Sequence, residues 1–204
     1  MSDVLTGTKE LIFDKAIEIV ATVGFENMSM RDLANAVGIK TASVYSHFAS
    51  KQEILDNIYD YFCEHYLDNR LPIEESKAVF ETGSREEIFN TMMFNFMSND
   101  EKKYKRMVLS TKIVMMRIFN DERANRIFLD INCKKTAELT KELLEYGISI
   151  GRLENFDIDT YTNFLIGMMF FMGIKAFARP NYTVGQLDEE MRIGKMLMDI
   201  LPLK

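Results

Sequence analysis

Few residues in this chain could do acid–base, nucleophilic or metal chemistry. Its 204 residues include two histidines, His47 and His65, and two cysteines, Cys63 and Cys133. Cys63 and His65 are two positions apart, which in a helix turns them to different faces, and no C-x-x-C spacing is present. His47 has no acid, cysteine or second histidine beside it. With no glycine-rich phosphate loop either, the sequence predicts no catalytic site, metal site or cofactor, so an enzyme is the least supported class.

The stretch from residue 24 to residue 51 carries a different pattern. It holds two short helical patterns separated by Val-Gly-Ile. Ser29 can cap the first helix, and Asp32 favours the same helix start through the helix dipole. Gly38 suits the left-handed turn between the helices, because it has no Cβ to clash there. Two short helices joined by such a turn are typical of a helix-turn-helix.

The second helix of this motif is predicted from about residue 41 to residue 48. Val44 and Phe48 are four positions apart and therefore turn inward together. The residues between and before them face outward, where the second helix of such a motif enters the major groove. Lys40 opens the helix without a capping side chain, although Thr41 could cap it one residue late.

The most specific sequence pattern in this stretch is Tyr-x-x-Phe-x-x-Lys, formed by Tyr45, Phe48 and Lys51. It is accompanied by Gly24-Phe25, Ser29-Met30-Arg31-Asp32-Leu33-Ala34, Val37-Gly38-Ile39, Ser43-Val44-Tyr45-Ser46-His47-Phe48 and Ser50-Lys51-Gln52-Glu53-Ile54-Leu55. Together these residues resemble the amino-terminal domain of TetR-family transcriptional regulators, without a gap from about Thr8 to Leu55. Beyond residue 55 only the length and the helix order match. Two positions depart from the family pattern: Lys40 replaces a small capping residue, and Ala42 replaces a common glycine.

The resemblance implies which residues contact DNA. Arg31 matches a position that reaches a base edge or a phosphate, although a solvated surface arginine is the alternative. Tyr45 and His47 match phosphate-contacting positions, and Tyr45 could also pack within the small domain. Lys51, at the start of a helix, is a candidate phosphate ligand. The full predicted set is Arg31, Lys40, Thr41, Ala42, Ser43, Tyr45, Ser46, His47 and Lys51.

Composition and charge limit the classes of protein that remain. Apolar residues make up 47% of the chain and charged residues 27%, as in a soluble globular protein. The longest apolar run, from residue 164 to residue 174, is too short to span a membrane, and residues 1–7 lack a secretion signal, so we expect a cytoplasmic protein. The net charge of −6 argues against a general nucleic-acid coat protein. The first 51 residues carry five basic and six acidic side chains, but three basic residues and one acidic residue lie between positions 31 and 51.

The rest of the chain reads as helices. An apolar stripe predicts a first helix from about Thr8 to Val23, formed by Ile12, Ala16, Ile19, Val20 and Val23. A fourth helix is predicted from Lys51, with Ser50 as N-cap, Glu53 completing a capping box and Pro72 closing the helix. Residues 74–83 read as a loop or a short helix, Ser84 with Glu87 opens a capped helix to about residue 98, and a long helix starts at Asn120-Asp121.

No strand alternation is long enough to predict a sheet. The predicted fold class is therefore all-α, with about nine helices. Its predicted domains are a three-helix DNA-binding domain at residues 1–50 and a helical ligand-binding and dimerisation domain at residues 51–204. A helix over residues 51–69 would connect them, and the cluster Lys102, Lys103, Lys105 and Arg106 is interpreted as a solvated face.

Methionine and aromatic residues are concentrated in the second domain. Methionine adapts to differing apolar shapes, so these residues could surround a pocket for a small hydrophobic effector, as the resemblance implies. Core and dimer interface are the alternative for any one of them. Tyr66, Tyr104 and Thr111 could orient a ligand. The predicted ligand-binding set is Tyr66, Phe89, Met92, Met93, Phe96, Tyr104, Met107, Thr111, Met115, Phe119, Phe164 and Met168.

The last two predicted helices, over residues 159–179 and 186–201, indicate a homodimer. The first is apolar on almost every side between residues 164 and 174, so both a domain core and a partner subunit have to cover it. The resemblance implies a four-helix interface through residues 159–201. The sequence thus predicts a dimeric repressor that binds a double-stranded DNA operator and is released by a hydrophobic effector. The alternative is a co-regulator of the same fold whose helix-turn-helix binds a protein.

Overall fold

The structure is a computed structural model that describes residues 6–66, 71–93, 100–178 and 199–203. Within these residues the chain is helical, apart from one isolated antiparallel bridge between Leu153 and Leu203. The all-α prediction is confirmed. The described helices are α1 (Gly7–Val23), α2 (Met30–Val37), α3 (Thr41–Tyr45), α4 (Lys51–His65), α5 (Ile73–Thr82), α6 (Arg85–Met93), α7 (Glu101–Arg117), α8 (Glu122–Ile127, continued by a π-helical segment Phe128–Lys135 and by Thr136–Ser149) and α9 (Ile158–Ala178).

The chain divides into two compact units. Unit 1 comprises Met1–Asp68 and Ser98–Phe128, and unit 2 comprises Asn69–Met97 and Leu129–Lys204. Helices α4 and α7 therefore belong to the same packed body as the helix-turn-helix. The boundary predicted between residues 50 and 51 does not coincide with a boundary between these units, and a division by role at that point stays a prediction.

In unit 1, α1 crosses the helix-turn-helix and buries an apolar stripe. Ile12, Ala16 and Val20 are at most 2% exposed, while Val23, predicted to continue the stripe, is 48% exposed. α1 ends at Gly24, whose φ of 87° and N–H bond to Val20 O terminate the helix. The apolar side of α4 completes this core with Ile54, Leu55, Ile58, Tyr59 and Phe62, which are all fully buried.

A ladder of ion pairs joins α1 to α7. Arg106 donates to Asp14 Oδ1 and, over 2.7 Å, to Glu10 Oε1. Lys102 pairs with Glu10 at 2.8 Å, and Lys105 pairs with Glu18. Three members of the basic cluster at 102–106 are thus bound to acidic residues. The interpretation of that cluster as a solvated face was wrong for Arg106, whose side chain is 12% exposed, whereas the side chains of Lys102 and Lys105 are 53% and 60% exposed. The sequence did not reveal this pairing because the partners are about 90 residues away.

Unit 2 is built from α5, α6, the later part of α8, and α9. Phe80, Ile88, Phe89, Leu144 and Leu165 are at most 1% exposed in its core. Gly147 lets α8 approach its neighbours, since a Cβ there would lie 2.9 Å from Phe80 Cδ1 and 2.7 Å from Leu153 Cδ1. α5 forms where the sequence predicted a loop or a short helix, and Pro72 is its N-cap residue. Pro72 was instead predicted to close the fourth helix.

The remaining helix predictions are confirmed in part. Ser84 and Glu87 form the predicted capping box, with Glu87 N to Ser84 Oγ at 3.2 Å and Ser84 N to Glu87 Oε2 at 2.7 Å. The predicted long helix from residue 121 is present as α8, and its π-helical segment was not predicted. The carboxyl ends of the helices predicted over residues 51–69 and 84–98, and nearly all of the last predicted helix, residues 186–201, lie outside the described residues. None of the described helices has the length and apolarity needed to cross a membrane.

Candidate nucleic-acid interface

The first helix of the motif, α2, begins at a complete capping box. Ser29 Oγ accepts from Asp32 N at 3.1 Å, and the Asp32 carboxylate accepts from Ser29 N at 3.2 Å. These bonds satisfy helix-start donors that would otherwise have no partner, which is worth about 1 kcal/mol for the serine. They also fix the backbone from which Arg31 projects, and Arg31 itself is exposed. The predicted capping role of Ser29 is confirmed.

The turn between α2 and α3 depends on Gly38. Its φ of 77° and ψ of 30° lie in the left-handed region, and its N–H donates to Ala34 O at 3.0 Å. Ile39 N donates to the same carbonyl at 3.0 Å. The chain therefore reverses within two residues and presents Lys40 as the N-cap of α3, without a capping side-chain bond. Thr41 is the first helical residue rather than a late cap.

Helix α3 ends at Tyr45, three residues before the predicted end at residue 48, and together with the turn that follows it has a fixed inner side and an exposed outer side. Val44 and Phe48 are both fully buried, as the four-residue spacing predicted. Ser46 Oγ donates to Ser43 O at 2.8 Å and closes the helix. Tyr45, on the outer side, is 52% exposed. Since the inner contacts fix the orientation of this short helix, its outer side chains are presented in one direction.

The nine residues predicted to contact DNA fall into two groups. Five are exposed: Arg31, Lys40, Ala42, Tyr45 and Ser46. Four are half-buried: Thr41, Ser43, His47 and Lys51. All nine lie in one continuous segment that includes α2, its turn, α3 and the first residue of α4. Their contacts with DNA stay a prediction.

Lys51 has internal partners that the sequence did not predict. Its Nζ donates to Phe25 O at 2.8 Å and to Glu26 O at 3.2 Å, and it lies 4.4 Å from the centre of the Phe25 ring. Two of its three ammonium hydrogens therefore bind the turn after α1. The third hydrogen can still serve a phosphate. The N-cap of α4 is Ser50, as predicted, but Glu53 Oε2 accepts from Ala49 N at 2.5 Å instead of completing a box on Ser50.

Five of the six acidic residues in the first 51 positions have partners within unit 1, and the sixth, Asp3, lies outside the described residues. Glu10, Asp14 and Glu18 pair with the basic ladder of α7, and Glu26 accepts from Arg117 Nη1 at 2.7 Å. Asp32 is held in its capping box. Hydrogen bonds from Lys102 and Arg106 lower the pKa of Glu10, and bonds from Lys105 and Lys15 lower that of Glu18. The excess of acid in the sequence therefore does not act as free negative charge beside Arg31 and Lys40.

The residues predicted to bind a ligand are divided between the two units. Tyr66 and Met107 are buried in unit 1, where Tyr104, Thr111 and Met115 also lie and where Phe119 is 86% exposed. Phe119 is too exposed to line a ligand pocket within one subunit. Phe89 and Met92 belong to the core of unit 2, Met168 packs against that core, and Phe164 is 52% exposed. Phe96 and the side chain of Met93 lie outside the described residues.

Unit 1 also contains a cleft of about 100 Å³ beside the end of α1. None of its lining residues was predicted to bind a ligand: Val20, Gly24, Phe25, Glu26, Ile113, Met116, Arg117 and Asn120. Across the described residues, no three His, Cys, Asp or Glu side chains are grouped so as to hold a metal ion.

Comparisons with known proteins agree with this geometry. Residues 12–62 match the sequence model of the family described as bacterial regulatory proteins, tetR family. The biofilm operon icaADBC HTH-type negative transcriptional regulator IcaR of Staphylococcus aureus strain Newman is 30% identical over 99 residues, which are 48% of this chain and 50% of that protein. IcaR of Staphylococcus epidermidis is 34% identical over 65 residues, 30% of this chain and 35% of that protein. The chain thus spans about half the length of the curated relatives it matches, or less.

Solved structures match over nearly the whole chain. The TetR family transcriptional regulator PfmR from Thermus thermophilus superposes with a TM-score of 0.62 at 18% identity, covering 97% of this chain and 96% of that one. The ketosteroid transcriptional regulator KstR2 of Mycobacterium tuberculosis gives 0.64 at 19% identity, covering 98% of each. A TetR transcription regulator from Haloarcula marismortui gives 0.66 at 17% identity, covering 96% and 97%. At these identities the likeness is one of fold, a helix-turn-helix followed by a helical domain.

Proposed function

We propose that this chain is a TetR-family transcriptional regulator, since residues 12–62 match the sequence model of that family, and that it binds a double-stranded DNA operator through α2 and α3 and represses transcription there. The observation that carries the proposal is the outer side of α3 and of the turn after it, where Ala42, Tyr45 and Ser46 are exposed. It lies over a fully buried pair, Val44 and Phe48. A relative matched over half its length is named a negative regulator, which supports repression. A regulator of transcription acts on the chromosome, so we expect the protein in the cytoplasm.

The side chains of this surface suit DNA recognition. Arg31 and Lys40 are exposed cations, and arginine can bind guanine through two hydrogen bonds. Ala42 and Ser46 are small enough for the helix to lie deep in the major groove, where their side chains reach a base edge or a thymine methyl group. Tyr45 and His47 are suited to phosphate contacts at the edges. We therefore assign base reading to α3 and phosphate binding mainly to Tyr45, His47 and the cations.

The test of this proposal is the salt dependence of binding to a selected duplex. Duplexes that the wild-type protein enriches from a random-sequence library supply the probe. Arg31→Ala is compared with Arg126→Ala, which removes the same charge from an exposed arginine in α8. We expect Arg31→Ala to weaken binding by about tenfold, and to lower the salt slope by about 0.9 if the contact is to a phosphate.

Several outcomes would contradict the assignment. Failure to enrich any duplex, or equal affinities of Arg31→Ala and Arg126→Ala, would remove the support for α2 and α3 as the DNA-binding surface. Binding without salt dependence would favour the alternative, a co-regulator whose helix-turn-helix binds a protein, because phosphate contacts make affinity fall with salt.

We propose that the chain is a two-fold dimer through residues 159–201. Within the described part of that range, three apolar side chains lie along one stripe of α9, and each is about half exposed: Phe164, Phe171 and Ile174. Gly167 lies in the same stripe, and a Cβ built there would meet no atom within 4 Å. Spacings of three and four residues repeat the pattern by which helices pack side by side. Sedimentation equilibrium at micromolar concentration should give a dimer, and Phe171→Glu should give monomer, whereas a wild-type monomer would refute the interface.

We propose that a small hydrophobic effector releases the operator. The methionine and phenylalanine content of unit 2 supports a site that adapts to apolar shapes, with Phe89, Met92 and Met168 as the described candidates. An effector that binds the non-DNA conformation more tightly shifts the population away from the operator-bound form. Native mass spectrometry of protein purified from cells should detect a bound apolar compound, and its addition should weaken binding to the selected duplex. If every such compound leaves DNA affinity unchanged, repression is not controlled by an effector of this class.

A further inference from the structure

Arg117, in the last turn of α7, connects three segments of unit 1. Its Nη1 donates to Glu26 Oε1 at 2.7 Å, in the turn between α1 and α2. Its Nε donates to Tyr59 Oη on α4 at 3.1 Å, and its Nη2 donates to Asp121 Oδ2 at 3.2 Å. The side chain of Arg117 is 14% exposed. One guanidinium therefore ties the approach to α2 to both α4 and α7.

The inner side of this network is fixed. Tyr59 is fully buried, and its hydroxyl donates to Asp121 Oδ2 at 2.9 Å. Asp121 Oδ1 in turn accepts from Arg123 N and Ala124 N at 3.0 and 3.1 Å and caps α8. Since a charged carboxylate and a buried ring hold the guanidinium in place, its outer edge has a defined position.

The outer side of the network holds the turn after α1. The Arg117 Cζ lies 4.8 Å from the centre of the Phe25 ring, and the Lys51 Nζ lies 4.4 Å from it, so two cations contact one ring. Lys51 also binds the carbonyls of Phe25 and Glu26. Three residues after Glu26 comes Ser29, the N-cap of α2. A shift of this turn is therefore passed directly to the start of α2 and to Arg31.

We propose that Arg117 is a positioning residue for DNA recognition: it holds the Phe25–Glu26 turn, and with it α2 and Arg31, at the orientation the operator requires. The inference rests on the proposed binding of DNA by α2 and α3. Arg117 itself needs no contact with DNA for this role, because its Nε, Nη1 and Nη2 donate to Tyr59, Glu26 and Asp121. A lysine at this position would keep the charge, but a single ammonium cannot reproduce the planar fork that reaches all three partners.

The experiment uses the full-length protein with Arg117→Lys, which leaves the net charge unchanged. Arg126→Lys is the matched control, since Arg126 is an exposed arginine that forms an ion pair of 3.9 Å with Glu122 in the same helix. The probe is the duplex selected by the wild-type protein. Affinity, its salt slope, the thermal midpoint and amide hydrogen exchange of residues 24–29 are measured for each variant.

We expect Arg117→Lys to weaken binding by about tenfold with an unchanged salt slope, and to speed amide exchange in residues 24–29. Arg126→Lys should change none of these. Glu26→Gln should reproduce the loss of affinity. The double variant should lose little more affinity than either single variant, because both single variants remove the contact between Arg117 and Glu26.

The inference is overturned if Arg117→Lys retains wild-type affinity, or if its salt slope falls by about one, which would make Arg117 a phosphate ligand. It is also overturned if affinity and thermal midpoint fall while exchange in residues 24–29 does not change, since that pattern is general destabilisation. If no duplex is ever selected, the proposed function fails. Exchange in residues 24–29 then decides alone whether Arg117 holds the turn, and unchanged exchange refutes it.

Discussion

Replacing Arg106 by methionine tests the ion-pair ladder that joins α7 to α1. The guanidinium is 12% exposed and binds Asp14 and Glu10, and its Cζ lies 5.9 Å from the Phe13 ring centre and 5.8 Å from that of Tyr61. Methionine keeps an apolar stem of similar length, so the change removes the charge and its hydrogen bonds with little loss of packing.

The magnitude follows from what each partner loses. Burial disfavours the charged form of Arg106, but the bonds to Asp14 and Glu10 outweigh it and raise the pKa of the guanidinium. Asp14 is 22% exposed and loses a charge-assisted bond worth about 2 kcal/mol, part of it recovered through Lys102. The ring contacts add about 0.5 to 1 kcal/mol. We expect Arg106→Met to lower the free energy of unfolding by about 2 to 3 kcal/mol.

The assay is urea unfolding followed by circular dichroism, with every variant at one protein concentration because a dimer gains stability with concentration. Lys103→Met is the matched control: it removes the same charge from an exposed position three residues earlier on α7. If the two variants differ by less than about 0.5 kcal/mol, the ladder does not hold α7 to α1, and the cluster is a solvated face after all.

The other predictions concern the helix-turn-helix and the ion pair between Arg117 and Glu26. Ser29→Ala removes the acceptor for Asp32 N and should lower the free energy of unfolding in urea by about 1 kcal/mol. Ser50→Ala removes the equivalent cap of α4 and serves as the comparison. An unchanged unfolding midpoint in Ser29→Ala would contradict the capping role. Gly38→Ala adds a Cβ at a φ of 77° and should lower the free energy of unfolding by about 1 kcal/mol. Ala36→Gly, on the exposed side of α2, is the control that changes the helix but not the turn. The hydrogen bond from Arg117 lowers the pKa of Glu26 below its ordinary 4.5, so this contact stabilises fully above pH 4.5 and is lost as the pH falls through the lowered pKa. The stability gap between wild type and Glu26→Gln should therefore close in acid, and a gap that widens in acid would refute the pairing.

Local patterns in the sequence were sufficient for the helix-turn-helix. The caps at Ser29 and Ser50, the left-handed turn at Gly38 and the inward pair Val44 and Phe48 all depend on residues within four positions of one another. Interactions at that range are the same in any fold that contains the segment. The prediction of which residues face DNA came from the same spacing together with the family resemblance.

Long-range partners could not be predicted in this way. The basic cluster on α7 and the acidic positions of α1 each look like a solvated helix face in isolation, and only packing brings Arg106 to Asp14 across 92 residues. Lys51 is in the same situation: its position at the start of α4 indicates a phosphate ligand, yet its bonds to the carbonyls of Phe25 and Glu26 require the turn to fold against it. The position of a charged residue in the sequence does not show which distant residue it will pair with.

What the sequence by itself determined is the kind of element at each place: an all-helical chain, a capped helix-turn-helix and a polar outer side on α3. What only the tertiary structure decided is how charges on separate helices are shared, above all the fork of Arg117 between Glu26, Tyr59 and Asp121. The physical reason is range. Caps and apolar periodicity are satisfied within one or two helical turns, whereas an ion pair between helices forms only after the hydrophobic core has fixed their spacing.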